Sequence, residues 1–362
     1  PPKTIIMFDI VESNTSNLFD YLYFFYYKLL GINFGGLSID KNGCIKKSFG
    51  WKVYGYLLTI ITNALLWYIT YQFMNLDDML YLKETKRPFL YELILISWLV
   101  RDIWPLIILI IGYRYGLKLI LLTIKYKIQS VKLSILFKLL WIMHLISLLG
   151  NFVFSLFIYR IDWLVNTLNV FALFKFLPAI LADCSINVSM AYSISFICWK
   201  ISFGVYERLK SMRKQLTQSK LNLYEMISMR KQFLEMRNDL IEADSCTQFG
   251  FFVDCASITF TLMLNIYLFV ARDKSSIDYI SFLIYCLFVI PKLIGDCIIC
   301  GLVHDQADQL LKTVHQIDFD ITNDRFYKEL MLFKTISSQV NFGFSFGGLV
   351  PLERTALLSV IY

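Results

Sequence analysis

Seven long apolar stretches, at residues 52–74, 89–113, 132–158, 168–200, 248–271, 279–302 and 337–362, constrain this chain most strongly. Each holds enough apolar residues to cross a hydrocarbon layer about 30 Å thick as a helix of about 20 residues. The sequence therefore predicts an all-α membrane protein with seven transmembrane helices. Hydrophobic residues at 57% exceed soluble averages and charged residues at 17% fall below them.

The wet connections set the orientation. One side of the expected membrane holds only Lys83, Lys86, Arg87, Arg160, Arg272 and Lys274. Arg101, Lys175, Lys292 and Arg354 lie inside the stretches, and the remaining Lys and Arg fall on the other side. Basic residues accumulate on the cytoplasmic face, so the N-terminus is expected inside and the C-terminus outside. That is the reverse of a G-protein-coupled receptor. The net charge of +7 sits mostly at the inner face, where anionic membrane lipids attract it, and calls for no nucleic-acid partner. No cleavable signal peptide is expected, because Pro1-Pro2-Lys3 opens a short mixed segment with Asp9 and Glu12.

Six segments follow. Residues 1–51 form a cytoplasmic N-terminal segment, in which Tyr21–Tyr27 and Lys28-Leu-Leu-Gly31 read as an aromatic amphipathic stretch at the membrane interface. Residues 52–200 hold transmembrane helices one to four, and 201–247 are cytoplasmic helical extensions. Helices five and six occupy 248–302, cytoplasmic anchor helices 303–340, and the start of a pore-lining seventh helix 341–362. In 205–242, Leu209, Met212, Leu221, Leu223, Tyr224, Met226, Ile227, Met229, Phe233, Leu234 and Leu240 recur at helical spacing between charges. Leu310, Leu311, Val314, Ile317, Phe326, Leu330, Leu332 and Phe333 repeat the pattern. These extensions read as one bundle beneath the membrane, or as solvated connectors. The outer loops (75–88, 159–167 and 272–278) are too short for an extracellular domain, so an external ligand must bind among the helices.

The chain carries no G-x-S-x-G, no H-E-x-x-H and no phosphate-cradling glycine loop, which argues against an enzyme. His144, mid-way along the third stretch, reads as a packing partner; His304 and His315 lie in the inner region. Cys297-Ile-Ile-Cys300 has metal-like spacing but sits in an apolar helix with no second pair, so it reads as small apolar packing. Neither cofactor nor metal is expected. The sequons at Asn14 and Asn187 fall inside the cell and inside the fourth stretch, where glycosylation is not expected.

The charges inside the stretches are more informative. Glu92, Arg101, Asp102, Lys175, Asp183, Asp254, Lys292 and Asp296 each cost at least about 2.5 kcal/mol at the bilayer centre. They should face the bundle interior, paired or hydrated. The topology places Trp98, Arg101, Asp102, Trp104, Asn151, Lys175, Asp183, Asn265, Tyr285 and Lys292 in the outer half or near the midplane. Flat aromatic walls with converging polar groups suit a polar small molecule. Structural ion pairs, Arg101 with Asp183 and Lys292 with Asp102, are the alternative, and both can coexist. Pro105, Pro178 and Pro291 interrupt helix bonding in the same region, as bends that open a cavity, as hinges or as tolerated kinks.

The last stretch differs from the others. Val340–Gly348 interrupts helix, and Pro351 is expected to restart it. Thr355, Ser359 and Tyr362 then share one face, a thin polar stripe suited to a pore shared by several subunits, or to Ser/Thr bonding their own backbone.

Two segments carry a resemblance: Leu29-Leu-Gly-Ile-Asn33 at the end of the aromatic stretch, and Phe333–Leu352 followed by Thr355-Ala-Leu-Leu-Ser-Val-Ile. Together with the seven spans, inner N-terminus, short outer loops and long inner extensions, the chain resembles the insect gustatory receptor family. The family's closing signature, Thr-Tyr, five apolar residues, then Gln-Phe, is expected just after Tyr362. The insect odorant receptors share the architecture, and Gly348-Leu-Val-Pro-Leu352 is compatible with them. The resemblance implies a homotetrameric, ligand-gated, non-selective cation channel in the plasma membrane of chemosensory neurons. It further implies a pore lined by the last helix, an anchor of inner extensions, and a tastant pocket in the outer half of each subunit. The polar and aromatic residue mix leans toward a sugar over an apolar bitter compound. A secondary transporter using the buried charges as a coupling path is the rival from another class, although no two-fold internal symmetry supports it.

Overall fold

A computed structural model describes residues 37–39, 45–74, 88–158, 189–218, 222–271, 276–317, 324–338 and 342–352. Helix dominates them. In chain order the helices are α1 (Phe49–Met74), α2 (Pro88–Lys125), α3 (Val131–Ile158), α4 (Ser189–Gln218), α5 (Leu223–Ala271), α6 (Ser276–His315) and α7 (Asp324–Ser338). Two small antiparallel pairs accompany them: β1 (Leu37–Ile39) with β2 (Ile45–Lys47), and β3 (Ser345–Phe346) with β4 (Val350–Pro351).

Local chemistry explains where the longest helix begins. At the head of α5, Asn222 Oδ1 accepts the Glu225 N–H at 2.8 Å, and Glu225 Oε2 accepts the Asn222 N–H at 3.0 Å. This reciprocal capping box satisfies two donors that the first helical turn leaves free. From there α5 continues for 49 residues, about 74 Å at 1.5 Å per residue. α2 and α6, at 38 and 40 residues, reach about 57 and 60 Å. Each is about twice the thickness of a hydrocarbon core, so each joins an apolar segment to a polar one in a single rod. Pro105 and Pro291 lie within the continuous α2 and α6.

The chain divides into two compact units. The first comprises residues up to Leu117, Ile142–Ile194 and Val253–Ile290. Within it, Lys52 on α1 lies over the Tyr113 ring of α2 at 4.7 Å, and His144 on α3 packs against Tyr192 on α4 with ring centroids 4.7 Å apart. The buried polar groups of α1 bond along their own helix: Thr59 donates to the Gly55 carbonyl at 2.7 Å, and Asn63 to that of Thr59 at 2.8 Å.

The second unit comprises Lys118–Trp141, Ser195–Phe252 and the residues from Pro291 onward. Its core draws Phe196, Trp199, Phe203, Leu209 and Met212 from α4, with Met226, Phe233, Met236, Leu240 and Phe251 from α5. Cys297, Cys300, Val303, Leu310 and Val314 of α6 and Leu330 and Phe333 of α7 complete it. Each large side chain fully withdrawn from water contributes about 1.5–3 kcal/mol. Gly204 allows α4 to approach the α2–α3 corner, since a Cβ there would meet the Tyr126 carbonyl oxygen at 2.3 Å.

Some large apolar residues face outward. On α3, Val131, Ile135, Leu139, Ile142, Ile146 and Leu149 are all exposed, at spacings of three and four that put them on one stripe. α1 exposes Val53, Leu57, Ile60, Ile61, Trp67, Tyr68 and Tyr71. Faces of this kind need lipid or a partner. Among the described residues, no helix is long and apolar enough to cross a membrane. The apolar stretches contain positions outside the described set, and the count of seven spans is a reading of the sequence.

Candidate functional site

Three polar arrangements stand out, all within the second unit. The deepest joins α4 to α6. Lys292 Nζ lies 3.0 Å from Asp296 Oδ2, one helical turn along α6, and Trp199 Nε1–H donates to Asp296 Oδ1 at 2.9 Å. Lys292 and Asp296 are 2% and 1% exposed. A buried ion pair holds only when its remaining valences are satisfied, and the indole supplies one such partner. Gly295 makes room for the indole, because a Cβ would fall 2.6 Å from Trp199 Cζ2. Beside it, the Cys198 thiol donates to Thr247 Oγ1 at 3.7 Å, tying α4 to α5.

The second arrangement is the α2–α3 corner. Glu207 on α4 accepts the Gln129 and Ser130 N–H groups at 2.7 Å each and so caps the start of α3. Tyr126 donates its hydroxyl to Asp239 on α5, and Lys125 bridges Asp239 and Glu235, both at 2.6 Å. Arg208 stacks over the Tyr126 ring at 4.7 Å. Burial, then the Asp239 hydrogen bond and charge, push the Tyr126 phenol well above its usual range. For Lys125 burial pulls downward, but the hydrogen bonds and charges of Asp239 and Glu235 outweigh it and the net shift is upward.

The third arrangement holds the β3–β4 hairpin to α5. Asp244 accepts two bonds from Ser345, at 2.7 Å from the backbone N–H and 2.7 Å from the hydroxyl. Ser345 Oγ in turn accepts the Gly348 N–H at 3.1 Å, and the Gly347 N–H donates to the Gln248 carbonyl at 3.1 Å. Gly347 and Gly348 close the turn with φ of 62° and 73°, left-handed values that favour glycine. Phe342 and Phe344 are buried against Phe233 and Phe251, at ring distances of 5.0 and 6.3 Å. Burial raises the Asp244 carboxyl above its ordinary value, with the two Ser345 bonds pulling the other way.

The residues expected to bind ligand distribute as follows. Trp98, Arg101, Asp102 and Trp104 lie on α2, Asn151 on α3, Asn265 on α5 and Tyr285 on α6, all in the first unit. Lys175, Asp183, Thr355, Ser359 and Tyr362 lie outside the described residues. Lys292 belongs to the second unit, where Asp296 is a described partner; the Asp102 side chain, its alternative partner, lies outside what the structure describes. The i, i+4 spacing of Lys292 and Asp296 was the signal for that pairing. The expected helical restart at Pro351 does not occur there, since Pro351 pairs with Ser345 in an antiparallel ladder. Asp244, Ser345 and Gln248 did not stand out in the sequence; only the Gly347-Gly348 pair marks the turn they hold.

Comparison with known proteins places the fold. No family model matches the sequence, and no curated protein matches it. Among solved structures the chain is similar to the insect olfactory receptor OR5 of Machilis hrabei, determined in complex with eugenol. The TM-score is 0.66 at 10% identity, covering 94% of this chain and 96% of that receptor. At that identity the likeness establishes the fold: a predominantly helical chain built like an insect olfactory receptor.

Proposed function

We propose that this chain is a subunit of an insect chemosensory receptor of the gustatory kind, acting as a ligand-gated, non-selective cation channel. The observation that carries the reading is a receptor fold matched over nearly the full length of both chains. The outward apolar stripe of α3 supports lipid contact, and rods about twice the thickness of the hydrocarbon core suit spans with inner extensions. In this reading four copies assemble in the plasma membrane of chemosensory neurons. Thr355, Ser359 and Tyr362 line their shared pore.

The ligand is a small molecule held among the helices by Trp98, Arg101, Asp102, Trp104, Asn151, Lys175, Asp183, Asn265 and Tyr285. Their polar and aromatic mix favours a sugar. Ligand moves a closed–open equilibrium by its difference in affinity for the two states. An odorant-receptor kind is the second reading, favoured because the matched receptor binds eugenol. A panel of sugars and eugenol separates the two on cells expressing the full-length chain. Asp102→Lys and Asp183→Lys should each abolish the evoked current with surface expression intact. A response that survives both changes removes this pocket.

A further inference from the structure

We infer that Asp244 is the positioning residue for the chain leaving Leu352, and that its hold on Ser345 keeps the channel closed without ligand. The inference rests on the channel reading above. β3 and β4 hold two residues each, too few to fix a hairpin by their own ladder, so the hairpin takes its place from what it touches.

Those contacts are of two kinds. Phe342, Phe344 and Leu352 are buried, and apolar burial is non-directional. Direction comes from α5, where Asp244, Gln248, Phe251 and Phe252 follow one another at helical spacing and all meet the hairpin. Asp244 grips Ser345 at two atoms of one residue, so the strand can neither slide nor rotate against α5 without losing a bond. Ser345 Oγ passes that hold to the Gly348 N–H across the turn, and the Leu352 N–H closes on the Phe344 carbonyl at 2.8 Å. Among the side chains of α5, the Asp244 carboxylate thus supplies the directional hold on the strand that leads to Leu352.

α5 runs unbroken from Leu223 to Ala271, through the fifth apolar stretch and past Asn265. Any rotation of that rod reaches Asp244 directly. The residues beyond Leu352 include Thr355, Ser359 and Tyr362, expected to line the pore. The pair Asp244–Ser345 thus joins α5, which carries Asn265, to the hairpin that leads toward that segment.

Two readings on the full-length chain test this. In ligand-free hydrogen exchange, Asp244→Ala should speed exchange of the Ser345 and Gly347 amides at least tenfold, with α4 amides unchanged. In whole-cell recording it should raise the ligand-independent sodium current per surface receptor at least threefold. Ser345→Ala, which keeps the backbone donor, and Asp244→Asn, which keeps an acceptor, should fall between wild type and Asp244→Ala in both readings. They also decide the question if Asp244→Ala does not reach the surface.

Unchanged exchange overturns the inference, as does faster exchange with unchanged resting current. Wild-type cells challenged with sucrose, fructose and eugenol supply the control. An evoked wild-type current with unaltered variants removes the inference alone. Absence of any cation current, evoked or resting, in wild type and variants removes the channel reading and the inference together.

Discussion

The buried Lys292–Asp296 pair permits a sharp energetic test. Asp296→Asn keeps an oxygen for the Trp199 indole but removes the carboxylate charge 3.0 Å from the Lys292 ammonium, which is 2% exposed. Breaking a buried pair from one side costs about 3–5 kcal/mol, because the remaining charge stays desolvated. Lys292→Met should cost a similar amount by isolating the carboxylate. Removing both charges is different: replacement of a whole buried pair by groups of similar size is often neutral or stabilising by about 1–4 kcal/mol. The double variant should therefore be more stable than either single one. A coupling of several kcal/mol is the signature of direct contact. For a chain larger than about 250 residues, a kcal/mol shifts the midpoint by about 2 °C, so each single change should lower it by about 6–10 °C. Thermal unfolding of detergent-purified protein, followed by loss of the monodisperse size-exclusion peak, reads this order. Additive losses in the double variant would refute the pair as a coupled unit.

Other expectations follow from the same contacts. Gly295→Ala should destabilise by about 1–3 kcal/mol through overpacking against Trp199, and Phe, Leu or Ala at position 199 should relieve it, measured in the same unfolding assay. Glu207→Gln should cost about 0.5–2 kcal/mol by weakening the cap on Gln129 and Ser130, with faster hydrogen exchange at those two amides. The α2–α3 corner should lose stability in alkali. Tyr126 and Lys125 are both raised in the folded state, so their contribution is complete below their ordinary values of 10.0 and 10.5 and declines above them. A Tyr126→Phe variant should show a shallower alkaline decline in a pH series of unfolding midpoints; an identical slope contradicts the assignment.

Much of the second unit was legible in the sequence because helix burial follows a local period. Leu209, Met212, Met226, Met229, Phe233, Leu240, Leu310, Val314, Leu330 and Phe333, picked out by spacing of three and four, are all buried. The same rule placed Tyr224 and Leu332 with them, yet they are 82% and 43% exposed. Periodicity says which face is apolar but not where the neighbouring helix ends.

The hairpin was illegible for another reason. Its strands are set by Asp244, 101 residues earlier, and no local pattern records a bond of that range. What the sequence did carry was the pair of glycines needed for a left-handed turn and the loss of helical character before them. The charges within the apolar stretches are an intermediate case. Their burial followed from cost alone: Lys292, Asp254 and Asp296 are buried, but Glu92, near the start of α2, is exposed, where the helix end leaves the carboxylate open to water. Their partners required geometry, and for Lys292 one lies a single helical turn away, at Asp296.

Single-channel recording from the purified full-length chain in planar bilayers tests the central claim most directly. The account predicts discrete unitary cation currents, absent before ligand, evoked by a member of the sugar or eugenol panel and reversing near zero potential in symmetric salt. Saturating uptake of the same ligand without unitary steps would contradict it and establish a transporter in its place.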